Sequence, residues 1–330
     1  MYQTKDIAVV ILNWNGKALL KQFLPSVINY SNDAKIYVAD NASTDGSVAF
    51  VSEHFPTVTI IQNTENGGYA KGYNDAFRYI EEPLLCLLNS DIEVTENWLQ
   101  PIIDVFNADT KTAIIQPKIL DFKNKTHFEY AGAAGGFIDK YGYPYCRGRI
   151  FDTIEEDKGQ YNDVMDIFWA SGACFFIKNA TFKSLNGFDE TYFAHMEEID
   201  LCWRAFNTNH NTKYVGHSTV YHVGGATLSN TSPKKTYLNF RNSLFTLVKH
   251  TDSNVFIRTV VRMKLDGIAA FRFLLQLKPQ YFYAILKAHG AFYMNLGRTL
   301  KKRKQLPKRS NYYKTKSIVW SYFIKKRTKF

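Results

Sequence analysis

The 330-residue sequence lacks the features that mark secreted and zinc-binding proteins. It has four cysteines and no Cys-x-x-Cys pair, and these residues are far apart, at Cys86, Cys146, Cys174 and Cys202. This spacing disfavours both a disulfide framework and a structural zinc site. No basic N-terminal segment precedes an apolar stretch of the signal-peptide type, and the sequence begins almost directly with a predicted strand. We therefore expect buried free thiols and a reducing, cytoplasmic environment.

Acidic residues are absent from the last part of the sequence. All 30 Asp and Glu residues lie at or before Asp266, and 16 of the 41 Lys and Arg residues follow it. The first 266 residues therefore hold 25 basic residues against 30 acids, a net charge of −5, and the remainder carries +16. The formal charge of +11 thus combines a mildly acidic globular body with a basic, aromatic region.

Apolar runs long enough to span a membrane are also missing from this basic region. The most apolar helical pieces, residues 268–277 and 281–296, are interrupted by Arg272, Lys278 and Lys287. A spanning helix needs about 20 mostly apolar residues, so amphipathic helices at a membrane interface fit this pattern better.

A cluster of basic residues follows these helices. It comprises Arg298, Lys301, Lys302, Arg303, Lys304, Lys308 and Arg309. Polybasic segments attract anionic lipid by about 1 kcal/mol per charge. We therefore expect residues 246–330 to form a helical region that associates with an anionic membrane surface. Nucleic-acid binding uses a similar composition, but no recognition motif accompanies it, and we expect no nucleic-acid partner.

The first third of the chain alternates short apolar runs with helical patterns. Strands are predicted at residues 7–12, 35–39, 58–62, 84–88 and 112–116, and helices at residues 17–30, 72–80 and 97–107. Unbroken apolar runs are typical of buried parallel strands. Their alternation with helices predicts an α/β protein with a Rossmann-like, mostly parallel central sheet and helices on both faces.

The middle of the chain is less regular. Residues 127–150 are rich in Gly and Tyr and indicate hairpins or a mobile loop, whereas residues 168–177 and 213–222 are predicted strands. We assign residues 1–245 to one domain and residues 246–330 to a helical C-terminal region.

Polar side chains end three of the predicted strands, at Asn13, Asp40 and Asp91. Ligands of such sheets bind at the carboxyl ends of the strands, so we expect a site there. An Asp at the position of Asp40 can accept a hydrogen bond from the imide N–H of uracil or thymine. The alternative is a plain Asx-rich turn formed by the segment Asp40-Asn-Ala-Ser-Thr-Asp-Gly-Ser47.

Asn89-Ser-Asp91 follows a buried strand, where a carboxylate can bind Mg²⁺ or Mn²⁺ together with substrate phosphates. His222, at the end of a later strand, is a candidate second ligand or a structural histidine. The segment Asn66-Gly-Gly-Tyr-Ala-Lys-Gly-Tyr-Asn74 is a glycine-rich entry to a helix but lacks the P-loop pattern. Gly67 and Gly72 would let the backbone approach a nucleotide or a neighbouring strand.

Three carboxylates, Glu197, Glu198 and Asp200, begin a predicted amphipathic helix. A helix N-terminus favours negative charge, so an acidic first turn on the surface is one interpretation. The acids lie between Phe193 and Trp203, however, and a carboxylate in partly apolar surroundings has a raised pKa, as a general base requires.

Taken in order and spacing, these motifs resemble the inverting family 2 glycosyltransferases of the GT-A fold, most of all the bacterial rhamnosyltransferase-like branch that builds surface polysaccharides. The resemblance covers residues 6–245. The segments that carry it are Val10-Ile-Leu-Asn-Trp-Asn15, Asp40-Asn-Ala-Ser-Thr-Asp-Gly-Ser47, Asn66-Gly-Gly-Tyr-Ala-Lys-Gly-Tyr-Asn74, Leu88-Asn-Ser-Asp91, Trp169-Ala-Ser-Gly-Ala173, Gly187-Phe-Asp-Glu190, Glu197-Glu-Ile-Asp-Leu-Cys-Trp-Arg204 and His222-Val-Gly-Gly225.

The resemblance implies roles for the matching residues. Asp40 would recognise the pyrimidine base, Asp91 and His222 would bind Mg²⁺ or Mn²⁺, and Glu198 would be the catalytic base. The proposed nucleotide-sugar-binding residues are Asn13, Asp40, Asn66, Gly67, Gly72, Asn74, Asn89 and Trp169. Two positions depart from the family pattern, because Asn89 replaces the first Asp of an Asp-x-Asp motif and Glu198 replaces an Asp.

Alternatives remain for several of these residues. Asp200 is the second candidate for the catalytic base and Glu197 the third, but Asp200 could instead pair with Arg204 at i, i+4. Trp169 could stack on a sugar ring or be an ordinary core residue.

The function that these motifs imply is an inverting glycosyltransferase of cell-surface polysaccharide synthesis, peripheral on the inner face of the cell membrane. Its donor would be a UDP- or dTDP-linked sugar, and its acceptor a hydroxyl of a glycan or lipid-linked glycan. A sugar nucleotidyltransferase, which also places carboxylates and metal at strand ends, is one alternative. A nucleotide-sugar-binding module with a decayed active site is another, suggested by Asn89 and Glu198.

Overall fold

The structure is a computed structural model that describes residues 1–224 and 232–330. Gly225, the last residue of the His222-Val-Gly-Gly225 segment, lies outside these residues.

Strands and helices alternate through most of the described chain. The strands are β1 (Ile7–Asn13), β2 (Lys35–Asp40), β3 (Thr59–Gln62), β4 (Leu84–Asn89), β5 (Ile92–Val94), β6 (Thr112–Asp121), β7 (Gly136–Ile138), β8 (Pro144–Cys146), β9 (Arg149–Ile150), β10 (Thr153–Ile154), β11 (Val164–Ile167), β12 (Cys174–Lys178) and β13 (Asn211–His222). The helices are α1 (Lys17–Tyr30), α2 (Ser47–His54), α3 (Gly68–Ala76), α4 (Gln100–Ala108), α5 (Asn179–Ser184), α6 (Glu197–Asn207), α7 (Pro233–His250), α8 (Val255–Leu275), α9 (Pro279–Met294), α10 (Leu296–Gln305) and α11 (Ile318–Phe323).

A large central sheet organises the fold, with strand order β11-β13-β6-β12-β4-β1-β2-β3 and β5 paired to β13. The neighbours β3, β2, β1 and β4 run parallel, as do β6 and β13, and β12 runs antiparallel between β4 and β6. The four short strands β7 to β10 form a second, antiparallel sheet. The predicted fold class is confirmed, and the Gly- and Tyr-rich stretch forms hairpins.

The apolar run of β1 is unbroken because both faces of the strand are buried. Ile7, Val9 and Ile11 point into one core cluster, and Ala8 and Val10 point into the other, on the opposite face of the sheet. A parallel strand between two helical layers has no solvent face, so it shows no apolar–polar alternation.

The strand predicted at residues 168–177 is shorter than expected, because regular pairing begins only at Cys174. Phe168 and Trp169 form an isolated backbone pairing with Gly136 of β7, and the N–H groups of the next residues bond to side chains. Ser171 N donates to Gln116 Oε1 at 2.8 Å, and Ala170 N donates to Cys202 Sγ at 3.5 Å. Residues 168–173 therefore form an irregular segment beside the sheet edge.

The C-terminal helices pack against the rest of the protein. Leu244, Leu247 and Val248 of α7 are buried in the same core cluster as the central sheet residues. The predicted boundary between residues 245 and 246 falls inside α7, and the division into two regions remains a prediction. Among the described residues, none of the helices combines the length and apolar content needed to cross a membrane.

A buried ion-pair network joins α6 to α7. Asp200 is fully buried, and its Oδ2 accepts a hydrogen bond from Arg204 Nε at 2.9 Å. Its Oδ1 contacts Lys249 Nζ at 2.5 Å and His250 Nε2 at 2.7 Å. Burial lowers the pKa of His250 to about 4, so this ring is neutral and donates its Nε2–H to Asp200. Two cations thus hold one carboxylate between the two helices.

The same network reaches α10. Lys249 Nζ also lies 2.6 Å from Asp189 Oδ2, and Lys302 Nζ of α10 lies 2.6 Å from Asp189 Oδ1. Burial opposes the ionisation of Asp189, but the two ammonium groups hold its pKa below the usual range. The turn before α6 is therefore tied to two C-terminal helices.

Substitution of Lys249 by methionine should destabilise the protein, because the buried carboxylates of Asp189 and Asp200 both lose the ammonium group that they share. We expect the free energy of unfolding to fall by about 3–5 kcal/mol. Urea denaturation followed by tryptophan fluorescence measures this change. The exposed Lys264→Met on α8 is the control and should alter stability by less than about 0.5 kcal/mol. Equal losses in the two variants would contradict the network's role.

Candidate active site

The parallel pairing of β1 and β2 brings Asn13 and Asp40 side by side at the carboxyl edge of the sheet. The two residues are direct register partners, and Asn13 Nδ2 donates to Asp40 Oδ1 at 2.9 Å. Asp40 Oδ2 accepts from the N–H of Ser43 at 2.8 Å. Among the described residues, the buried Oδ1 of Asn13 has no hydrogen-bond partner. A buried acceptor left open at a strand end is available to a ligand.

A second layer of amides lies behind this pair. Asn63 Nδ2 donates to Asn41 Oδ1 at 2.7 Å, and Asn41 Nδ2 donates to the carbonyl of Gly68 at 3.1 Å. Gly72 makes this arrangement possible, because a Cβ there would lie 2.6 Å from Asn41 Nδ2. The role of Gly72 beside a nucleotide stays a prediction. Asn41 and Asn63 were not predicted as site residues.

The glycine-rich segment also touches the chain that leads to the acidic helix. Tyr69 N donates to the carbonyl of Phe193 at 3.1 Å. Gly68 has φ of +78°, and a Cβ there would lie 2.3 Å from that same carbonyl oxygen. Asn66 is exposed and accepts a hydrogen bond from Gly68 N at 3.0 Å, with Gly67 between them. The glycine-rich segment and the chain that leads into α6 are therefore in direct contact.

Asp91 and His222 meet because β5 pairs with the end of β13. Ile92 is the register partner of His222, so Asp91 lies beside the imidazole, with Oδ1 at 3.2 Å from Nε2. Asn89 Nδ2 lies 3.5 Å from the same nitrogen. The structure thus brings together residues that are more than 100 positions apart in sequence.

Both ring nitrogens of His222 face carboxylates. Nε2 faces Asp91, and Nδ1 lies 3.4 Å from Glu129 Oε1. Burial alone would lower the pKa of His222, but its interactions with the two carboxylates outweigh burial and raise the pKa to about 10. Glu129 was not predicted, because its Gly- and Tyr-rich surroundings show no metal-site spacing.

The donor set of Asp91 and His222 fits a divalent cation that takes its other ligands from a diphosphate. Carboxylate and imidazole groups bind Mn²⁺. Both Mg²⁺ and Mn²⁺ commonly combine protein ligands with oxygens of substrate phosphates. The described residues contain no group of three or more His, Cys, Asp or Glu side chains placed to hold a metal ion by themselves. A site completed by a substrate phosphate is consistent with this finding.

The acidic helix begins after a strained turn. His195 and Met196 have φ values of 69° and 76°, in the left-handed region that non-glycine residues rarely adopt. Asn242 of α7 supports this turn, since its Nδ2 donates to the carbonyls of Ala194 at 3.0 Å and His195 at 2.7 Å. Strained residues persist only where the surroundings hold them, and they cluster at functional sites.

Glu197 and Glu198 follow this turn directly, and each has a buried Oε2 atom without a hydrogen-bond partner among the described residues. Burial raises the pKa of Glu198 to about 7, and burial together with the Glu198 charge raises the pKa of Glu197 well above its usual range. Glu197 is also the more buried side chain. Glu198 is therefore poised to exchange a proton near neutral pH.

The placement of Asp200 contradicts its candidacy as a catalytic base. Its carboxylate is fully buried, and Lys249 and Arg204 hold its pKa far below the usual range despite burial. A strongly acidic carboxylate bound on every side cannot reach an acceptor. The alternative interpretation, an i, i+4 pair with Arg204, describes the observed geometry.

Two further predicted site residues, Trp169 and Asn74, make hydrogen bonds to other parts of the protein. Trp169 is buried, its Nε1 donates to the carbonyl of Phe137 at 2.8 Å, and Gly136 lies against its ring, so it is a core residue and cannot stack on a sugar here. Asn74 Nδ2 donates to the carbonyl of Phe188 at 3.0 Å and to Glu190 Oε1 at 3.0 Å. Asn74 therefore orients the turn that precedes the acidic helix.

Comparison with known proteins gives one family for this region. The family described as Glycosyl transferase family 2 matches residues 8–179, about half of the chain.

Two characterised relatives and one solved structure are similar over longer stretches. A low-salt glycan biosynthesis hexosyltransferase, Agl10 of Haloferax volcanii, is 23% identical over 84% of this chain and 87% of its own length. The N-acetylglucosaminyl-diphospho-decaprenol L-rhamnosyltransferase of Mycobacterium tuberculosis is 23% identical over 66% of this chain and 76% of its own length. The mannosyltransferase PcManGT of Pyrobaculum calidifontis, solved with GDP-Man and Mn²⁺, superposes with a TM-score of 0.55 at 12% identity, covering 88% of this chain and 87% of that one. At this identity the superposition supports the fold alone.

The carboxyl of Glu198 should titrate near pH 7, because its burial disfavours the ionised form. We expect carbon-13 NMR of the glutamate side-chain carboxyls to show one resonance with a midpoint near that pH. The resonance should disappear in Glu198→Gln, which serves to assign it. A Glu198 resonance that titrates below pH 5 would contradict the buried environment.

Proposed function

This chain belongs to glycosyl transferase family 2, and we propose on that basis that it is an inverting enzyme that transfers a sugar from a nucleoside diphosphate to an acceptor hydroxyl. The observation that carries this proposal is the position of Glu198. Its partnerless, poised carboxylate begins a helix whose entry contacts the glycine-rich loop beside the Asn13–Asp40 strand ends. The proposed base and the proposed nucleotide-binding residues thus lie on segments that contact each other directly.

The proposed reaction is a single displacement. Glu198 accepts the proton of the acceptor hydroxyl, and the acceptor oxygen attacks the anomeric carbon on the face opposite the diphosphate. The C–O bond to the diphosphate breaks, so the configuration inverts and the nucleoside diphosphate leaves. Since the pKa of Glu198 is raised to about 7, a large share of this group is ionised at neutral pH, as a general base requires.

The donor would lie along the carboxyl edge of the sheet. Asp40 and Asn13 would contact the base, with UDP- and dTDP-sugars as the proposed donors, and Asn89 would lie near the diphosphate. Asp91 and His222 would hold Mg²⁺ or Mn²⁺, which supplies positive charge beside the departing diphosphate. The Mn²⁺ in the structurally similar mannosyltransferase supports a divalent cation in this fold.

The proposed acceptor is a lipid-linked glycan of a surface polysaccharide. The similarity to a rhamnosyltransferase whose name specifies a decaprenol-diphosphate acceptor supports this proposal. The family assignment disfavours a sugar nucleotidyltransferase. The partnerless carboxylate of Glu198 in a buried site argues against a decayed active site, because an unused charge would be costly to keep there.

Donor binding and transfer can be separated with Glu198→Gln. A thermal-shift screen with Mn²⁺ and UDP-, dTDP- and GDP-sugars should identify a donor that raises the melting temperature, because ligand binding stabilises the folded state. Glu198→Gln should bind that donor like the wild type but lose about 10²–10⁴-fold in kcat for transfer or donor hydrolysis.

The exposed Glu53→Gln on α2 is the matched control and should leave both quantities unchanged. Wild-type protein that binds a nucleotide-sugar but never turns it over would favour the binding-module alternative. Full activity in Glu198→Gln would assign the base to another residue.

We further propose that the turn between α8 and α9 docks on an anionic lipid bilayer. The large apolar side chains exposed around this turn are Ile268, Phe271, Leu274, Leu275, Leu277, Tyr283 and Leu286. The exposed cations Lys264, Arg272, Lys278 and Lys287 lie on the same two helices and the turn between them, and no acidic residue follows Asp266 in the sequence. An apolar patch with a cationic rim suits the interface of a membrane with anionic headgroups.

Several side chains of the basic cluster of residues 298–309 are held against the protein, and Lys302 is paired with an acid. Lys302 binds Asp189, Arg303 donates to the carbonyls of Val248 and Thr251, and Arg309 donates to Asn209 Oδ1. These groups are engaged by the protein itself. The α8–α9 turn is therefore the stronger candidate for the membrane contact.

Vesicle flotation tests this surface. We expect the wild type to float with vesicles of 30% phosphatidylglycerol in phosphatidylcholine at low salt, and to bind pure phosphatidylcholine more weakly. The double variant Leu275→Ser/Leu277→Ser should reduce binding at least tenfold, because both side chains are highly exposed, at 71% and 89%, and would insert.

The matched control is Phe256→Ser/Ile257→Ser, at the opposite end of α8 and also exposed. The two ends of this 21-residue helix are about 30 Å apart. An equal loss of vesicle binding in both double variants would contradict docking through the α8–α9 turn. Binding that does not depend on anionic lipid would contradict it as well.

A further inference from the structure

Glu129 is a buried carboxylate held firmly in place beside the candidate cation site. It follows β6 and is only 6% exposed. Its backbone N–H donates to the carbonyl of Ile119 at 3.1 Å, and its Oε2 accepts a short hydrogen bond from the N–H of Ala131. With the backbone and one carboxylate oxygen fixed, the other oxygen has a set direction.

That direction is towards His222. Glu129 Oε1 lies 3.4 Å from His222 Nδ1, and the other ring nitrogen, Nε2, lies 3.2 Å from Asp91 Oδ1. The two nitrogens are on opposite sides of the ring, so the imidazole is aligned between two carboxylates that approach from different elements. Gly224 permits the approach, because a Cβ there would lie 3.0 Å from Glu129 Oε1 and its φ is +69°.

The two carboxylates differ in what else they can contact. Glu129 is occupied on its Oε2 by the Ala131 N–H, whereas Asp91 lies at the strand end beside Asn89 and Ser90, where a diphosphate would lie. A histidine that binds a metal commonly donates its second ring N–H to a carboxylate, which fixes the tautomer and the ring orientation. Among the described residues the buried Nδ1 of His222 makes no hydrogen bond, and Glu129 Oε1, 3.4 Å away, is the carboxylate oxygen positioned to accept from it.

We propose that Glu129 is a positioning residue that binds the Nδ1–H of His222 and so directs Nε2, together with Asp91, towards the divalent cation. This inference rests on the proposed cation-dependent function. Glu129 itself does not bind the cation in this arrangement, because the imidazole ring separates it from Asp91. Its effect is on how tightly Asp91 and His222 bind the ion.

Metal affinity is the direct test, with Mn²⁺ titrated into the full-length protein in the presence of UDP and free Mn²⁺ measured by electron paramagnetic resonance. We expect Glu129→Gln to weaken Mn²⁺ binding by about 10–100-fold. The glutamine keeps the shape and an acceptor for the Ala131 N–H, so the fold should survive. Glu129→Asp, which keeps the charge but shortens the side chain, should recover part of the affinity.

Glu155→Gln is the matched control. Glu155 lies in the chain segment next to that of Glu129. Its carboxylate accepts a hydrogen bond from Tyr161 Oη and not from His222. This variant should bind Mn²⁺ like the wild type. Thermal melting of the metal-free proteins, followed by circular dichroism, separates a loss of affinity from a loss of fold.

A spectroscopic readout distinguishes positioning from a general structural effect. In the Co²⁺-loaded protein, a ring N–H that is hydrogen-bonded to Glu129 should give a hyperfine-shifted, slowly exchanging proton resonance. We expect that resonance to be lost through fast exchange in Glu129→Ala and to remain in Glu155→Gln.

The outcomes are distinguishable from failure of the proposed function. If the wild type binds no Mn²⁺, or if Asp91→Asn leaves Mn²⁺ binding unchanged, then the proposed cation site is refuted. The inference about Glu129 is then refuted as well. If the wild type binds Mn²⁺ and Asp91→Asn abolishes binding, but Glu129→Gln binds with wild-type affinity, then the cation site stands and the role of Glu129 is refuted.

Discussion

The buried pairing of Asp200 with Lys249 and Arg204 is the interaction on which the site depends. Asp200 is in the first turn of α6, two residues after Glu198, so whatever fixes Asp200 also fixes the direction of the catalytic candidate. The network neutralises the face of α6 that points into the protein. Glu198, on the opposite side of the same turn, can then keep a carboxylate oxygen without a partner and a raised pKa. One turn of helix thus holds both an anchored acid and a poised one.

The rest of the site comes from two kinds of strand pairing in one sheet. Parallel pairing of β1 and β2 aligns Asn13 with Asp40, and antiparallel pairing of β5 and β13 places Asp91 beside His222. The contact of Gly68 with the carbonyl of Phe193 connects the first of these pairs to α6. The C-terminal helices complete the arrangement, because Asn242 of α7 supports the strained turn at His195. Lys249, in the region expected to act at the membrane, binds Asp200 of α6, so that region also shapes the candidate site.

Local sequence patterns predicted the strands and helices whose hydrophobic periodicity is clear over many residues. The run Ile7–Asn13 and the helix Lys17–Tyr30 appear almost as expected, because burial on both faces and an apolar stripe leave clear periodicities. The segment around Trp169 was misjudged. Its apolar composition resembles a strand, but the N–H groups of Ala170 and Ser171 bond to the side chains of Cys202 and Gln116 from distant parts of the chain. The three-residue strand β5 is too short to show any period. Contacts of this kind depend on partners that sequence spacing does not reveal.

The sequence by itself determined the fold class, the polar residues at the strand ends and the presence of three acids at one helix start, because these follow from periodicity and from which residues end each run. Only the tertiary structure decided which acid could be the base. Lys249 and His250, about 50 positions away, surround Asp200, whereas burial without a partner raises the pKa of Glu198. It also decided that Glu129 faces His222. Burial and partners are set by the packing of distant segments, and they determine what chemistry a carboxylate can perform.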